Sequence, residues 1–108
     1  MKFNPMGGNM NKMMKEARKV QERIVQMQEE LRQRELEVSS GGGAVTVRIN
    51  GRQEILSLKI APEAVDPDDV ELLEDMIIAA VNEAIKQSQE MVSTEMAKIT
   101  GGFNIPGL

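Results

Sequence analysis

Cysteine, histidine, tryptophan and tyrosine are all missing from this chain. Without thiols there are no disulfides and no thiolate metal sites, and without imidazole the commonest metal ligand and general base are gone. The acids and bases left at neutral pH are carboxylates and lysines, so neither an enzyme nor a cofactor or metal site is expected. The aromatic residues are Phe3 and Phe103 alone, too few for platforms on which single-stranded bases stack. No apolar run approaches the roughly 20 residues of a membrane span. The N-terminus also lacks the apolar core of a signal peptide, so the expected compartment is the cytoplasm. Neither a membrane nor a small-molecule substrate is expected as a partner.

What is present is helix-forming and electrically lopsided. The 108 residues suit one domain with a modest core. The formal net charge is −4, which taken alone argues against a polyanionic partner. Its distribution says more: Met1–Arg23 holds six Lys or Arg against two Glu, whereas Ala61–Thr100 holds two Lys against ten Asp or Glu. The front is basic and the back acidic.

Residues 1–8, with Pro5 and a Gly pair, read as a flexible leader. From Asn9 a helical pattern begins: Met10, Met13, Ala17, Val20, Ile24, Met27 and Leu31 recur at alternating spacings of three and four. That seam has a period of about 3.5 residues, narrower than the stripe of an ordinary core-facing helix. Asn9–Glu35 contains no Gly or Pro, and at about 1.5 Å per residue it makes a rod roughly 40 Å long. A domain this small cannot cover such a rod, so the seam is expected to be a homodimer interface. Leu36–Ser40 and Ala44–Asn50 alternate as strands, separated by Gly41-Gly42-Gly43. Asn50-Gly51 signals a hairpin, since both residues tolerate positive φ, and Gln53–Ile60 returns with Leu56, Leu58 and Ile60 on one face. Asp66-Pro67 is expected to start a second helix, with Asp66 as cap and further acids in the first turn. Its apolar stripe, from Val70 to Ile99, is broad enough to pack on two sides. Gly101-Gly102 is expected to stop it, and Phe103–Leu108 forms an apolar tail. The fold class is therefore α+β, a single domain of long helix, three-stranded antiparallel sheet and long helix.

Four blocks of this sequence, in order, resemble the YbaB/EbfC family of bacterial nucleoid-associated proteins: Gly7–Leu31, Gly41–Ile60, Asp66–Lys86 and Thr100–Leu108. The resemblance implies a subunit that pairs into a tweezer-shaped homodimer, binds double-stranded DNA and works in the nucleoid. It implies no enzymatic activity and no cofactor. The DNA role comes from the resemblance, not from composition.

With that expectation, Lys12, Lys15, Arg18, Lys19 and Arg23 are the candidate DNA-binding residues. Lys12, Lys15, Lys19 and Arg23 form one stripe, and cations on a rigid rod can meet successive phosphates without reading bases. Lys2, Asn4, Asn9 and Asn11 add candidate contacts. The competing interpretation is a solvated face, with Glu16 and Glu22 pairing with Lys19 and Arg18 at helical spacing. Arg48, Arg52 and Lys59 on the hairpin are better explained as ordinary surface charge. Gly41–Gly43 lacks the Lys-Ser/Thr ending of a phosphate loop and reads as a turn. Asp66, Asp68, Asp69, Glu71, Glu74 and Asp75 lack the spacing of a calcium loop and read as helix capping. Five of the nine Met residues lie within the first fourteen positions, which suits an adaptable contact surface. A protein-interaction clamp for other proteins of DNA metabolism is the alternative function.

Overall fold

The computed structural model describes residues 5–101, and the side-chain environments of residues 10–99. The order is α1 (Pro5–Gln33), β1 (Glu35–Ser40), β2 (Val45–Asn50), β3 (Ile55–Ile60), a single 3-10 turn (Pro62–Ala64) and α2 (Val70–Gly101). This is the expected α+β arrangement, with an antiparallel sheet in the order β1-β2-β3. Helix α1 begins at Pro5, inside the expected leader. Proline suits that first position, where its missing N–H has no intrahelical partner to lose. Residues 1–4 and the tail 103–108 lie outside the described residues.

The core is small. Val38, Val45, Val47, Ile49, Ala80 and Ala84 form its buried cluster. Helix α2 lies across β1 and β2, and its face there is built from Ala80, Ala84 and Ser88, whose small side chains let the helix backbone approach the sheet closely. Register pairs place Leu36 opposite Ile49 and Val38 opposite Val47 on β1, and Val45 opposite Ile60 and Val47 opposite Leu58 on β3. Directly opposed residues share a face, so the single apolar face expected of Leu56, Leu58 and Ile60 holds for Leu58 and Ile60. It fails at the start of β3. Ile49 opposes Ile55, so Leu56 is the extra residue of a bulge between Arg48 and Ile49 of the partner strand.

The two inter-strand turns differ in kind. Gly41, Gly42 and Gly43 all have positive φ, as a glycine turn requires. At the other end, neither Asn50 nor Gly51 has positive φ; among the described residues the one non-glycine residue that does is Gln53, at 64°. Asn50 instead organises the turn with its side chain. Its Oδ1 accepts from the backbone N–H of Arg52 at 2.9 Å and of Glu54 at 3.1 Å, and its Nδ2 donates to Glu54 at 2.8 Å. Gly51 is small for a different reason: a Cβ there would fall on the Leu31 carbonyl and within 2.9 Å of Arg32 Cα. The cap of α2 also moves. Asp66 Oδ1 accepts from the Asp68 N–H in a preceding turn, while Asp69 Oδ1 accepts from the Leu72 N–H at 3.3 Å and is the N-cap.

The shape is far from spherical. The radius of gyration is 22.7 Å and the longest extent 90 Å, where a compact chain of this length has a radius near 13 Å. Helix α1 causes this, because only its C-terminal end is seated.

Candidate nucleic-acid interface

Three elements meet at the seat of α1. Leu31, 3% exposed, is buried there, Gly51 lies against its backbone, and the Ser88 hydroxyl donates to the Asn50 carbonyl at 2.7 Å from α2. Ion pairs flank the joint: Arg52 with Glu29 at 2.6 Å and Arg34 with Glu95 at 3.6 Å. Between α1 and α2 a shallow cleft of about 280 Å³ is lined by Met27, Leu31 and Ile99 among others. Sequence periodicity gave no sign of this joint, because Gly51 and Ser88 carry no periodic signal.

Beyond the seat, α1 projects without support. Every residue from Met10 to Arg23 is exposed. Lys12, Lys15, Arg18, Lys19 and Arg23 are all on this stretch. Among the described residues none of the five makes an ion pair, and the possible pairs of Glu16 with Lys19 and of Arg18 with Glu22 do not form. The contrast with the rest of the chain is sharp: Arg32, Arg34, Arg48 and Arg52 each meet a glutamate. The hairpin patch is accordingly spent, with Arg48 on Glu35 and Arg52 on Glu29, which leaves Lys59. From Lys12 to Arg23 the free row rises about 16 Å along the helix axis.

The acidic group Asp66 to Asp75 sits at the other end. Ser40 donates to the Met76 carbonyl at 2.7 Å, which places the first turns of α2, with Asp66 to Asp75, beside the glycine turn. The seat of α1 is at the opposite end of the strands, beside Asn50. Charge beyond a Debye length of about 8 Å is largely screened at physiological salt, so the acidic end does not cancel the field of the cationic rod. Among the described residues no group of three or more carboxylates converges in a way that could hold a metal ion, and no helix is long and apolar enough to cross a membrane.

The seam expected to form a dimer interface divides in two. Met10, Met13, Ala17, Val20 and Met27 are exposed and Ile24 is half-buried. Leu31 is not available to a partner, because it is already buried within its own chain. Lys2 and Asn4 lie outside the described residues, as does the side chain of Asn9; Asn11 is exposed.

Comparison with known proteins agrees with the fold. The family model described as the YbaB/EbfC DNA-binding family matches residues 6–103. A nucleoid-associated protein of Desulforamulus reducens is 62% identical over 103 residues, covering 95% of this chain and 98% of its own length. One of Pelotomaculum thermopropionicum is 58% identical over the same span and coverage. The crystal structure of the uncharacterized protein HP0035 of Helicobacter pylori superposes with a TM-score of 0.61 at 26% identity, covering 93% of this chain and 98% of that one. The chain belongs to the YbaB/EbfC DNA-binding family.

Proposed function

We propose that this protein is a nucleoid-associated, double-stranded DNA-binding homodimer that performs no catalysis and needs no cofactor. The observation that carries the reading is the row Lys12, Lys15, Arg18, Lys19 and Arg23, exposed and, among the described residues, without an ion pair, on the part of α1 that projects beyond its seat. Side chains already held in ion pairs must break them to reach a phosphate; these need not. Each can replace counterions condensed on the duplex, which makes binding steeply salt-sensitive and weak in sequence preference. The relatives' names as nucleoid-associated proteins support work on the chromosome in the cytoplasm.

The homodimer is supported by surface area. A compact chain of this mass exposes about 6,000 Å², whereas this one exposes 8180 Å². The surplus of roughly 2,000 Å² is of the order that one partner contributes to an obligate interface. Met10, Met13, Ala17, Val20, Ile24 and Met27 supply apolar surface on α1 for the second copy.

Gel-shift titration across salt concentrations tests the DNA reading. A steep fall of affinity with salt is expected; a slope near zero, or no shift at low salt, would remove it. The exposed methionines Met10, Met13 and Met14 favour the second reading, a clamp for proteins of DNA metabolism. Purification separates the two: the DNA binder carries nuclease-sensitive nucleic acid, and the clamp does not.

A further inference from the structure

The two outer strands of the sheet are finished differently. Strand β3 is broken in register by the Leu56 bulge and carries Lys59, and a bulge or an edge lysine discourages a further strand from pairing. Strand β1 has neither guard. All of Glu35–Ser40 pairs with β2 in one unbroken register, and none of these residues is Pro or Lys. Among the described residues no strand lies on its outer side, so alternate residues turn N–H and C=O groups away from β2 with no strand to meet them.

The space beside that edge is shaped and charged. Leu36, Val38 and Ser40 alternate onto the α2 face of the sheet, where Val38 joins the core and Ser40 reaches the Met76 carbonyl. Next to Leu36 a shallow groove of about 380 Å³ opens between β1 and α2; half-buried Met91 and exposed Glu83 and Glu90 line it as well. Glu37 alternates onto the other face of β1, opposite Arg48, whose ion pair is with Glu35. Among the described residues Glu37, Glu83 and Glu90 form no ion pair, and Lys86 is the one cation lining the groove.

We propose that β1 is the docking edge for an extended, lysine- or arginine-bearing segment of another protein, which adds to the sheet as a fourth strand. Main-chain bonds to the outward N–H and C=O groups supply the affinity, and alternate side chains supply the selectivity. Side chains on one face of the added strand enter the groove, with apolar stems on Leu36 and Met91 and cationic ends at Glu83 and Glu90. Those on the other face meet Glu37. Lysine and arginine satisfy both demands, because each carries its charge on an apolar stem. Charge identifies the occupant. These acids repel a nucleic acid, and a second copy adding through its own β1 would set Glu35 and Glu37 against acids of the same sign. The cationic row of α1 is helical and offers no strand. The surface is separate from that row, so the proposal stands apart from the DNA and homodimer readings.

Fluorescence anisotropy of the full chain with a labelled short peptide of alternating lysine and valine tests it. The peptide is expected to bind at least about tenfold more tightly than its glutamate–valine counterpart. N-methylating every backbone amide of the lysine peptide keeps its charge but removes strand pairing, so binding should fall at least about tenfold. Equal binding of the two, or no binding by either, overturns the proposal. Glu83→Lys/Glu90→Lys, at exposed positions, should weaken the lysine peptide at least about fivefold. Glu71→Lys/Glu74→Lys, at the far end of α2, should leave it unchanged, and the reverse dependence overturns the site. Alternate amides of Glu35–Ser40 should also exchange with solvent at least about tenfold more slowly once the peptide is bound. Amides of β1 that are slow without peptide and speed up on dilution would assign the edge to a second copy, and would overturn the proposal as well.

Discussion

Neutralising two lysines of the free row counts how many rods touch DNA. In the Lys15→Gln/Lys19→Gln variant each chain loses two of its five candidate phosphate contacts. For duplex DNA the slope of log affinity against log salt is about −0.9 per phosphate neutralised. If one rod of the proposed dimer engages the duplex, the variant flattens the slope by about 1.8; if both do, by about 3.6. Near 0.1 M salt each lost contact weakens binding about eightfold, so the expected loss is about 60-fold for one rod and about 4,000-fold for two. Neither side chain has an ion-pair partner among the described residues, so stability should stay within about 0.5 kcal/mol of the parent and the proposed dimer should persist. Fluorescence anisotropy with a short duplex, repeated across salt concentrations, reads both affinity and slope. An unchanged slope in a variant that is still dimeric would refute phosphate contact by this row.

The remaining predictions concern the joint that holds the rod and the start of α2. Gly51→Ala puts a methyl group into the Leu31 carbonyl and should cost about 2 kcal/mol or more; an unchanged melting temperature would show that α1 is not seated there. Ser88→Ala removes a buried bond to the Asn50 carbonyl, which keeps the Gln53 N–H at 3.0 Å, so denaturant titration should show a loss of about 1 kcal/mol. A loss below about 0.3 kcal/mol would place Ser88 outside the joint. Asp69→Ala should destabilise by about 1 kcal/mol and Asp66→Ala by less, because Asp69 caps α2; the reverse order would return the cap to Asp66.

Element type and order were legible in the sequence because periodicity reports which face of a segment is apolar. The strands β1, β2 and β3, the glycine turn and both long helices all follow from such patterns. Periodicity does not report what covers a face. The broad stripe of α2 pointed to packing on two sides, but not to β3 being left bare or to the Leu56 bulge that shifts its register. Leu31 reads as one more seam position, yet its own hairpin buries it, because the approach depends on Gly51, twenty residues away. The Asn-Gly pair marked the hairpin correctly through a different mechanism: a side-chain-organised turn with positive φ at Gln53. Arg48 and Arg52 already read as ordinary surface charge, but the partners of each were not legible. Their pairing with Glu35 and Glu29 depends on tertiary placement, and that placement separates them from the free row.

Sedimentation velocity of the protein mixed with a labelled short duplex tests the central claim most directly, since it reports stoichiometry and binding together. At about 50 mM salt the duplex should move with two copies of the chain, and by about 300 mM it should sediment alone. A duplex that sediments free at both concentrations, or one that carries a single copy, would contradict the account.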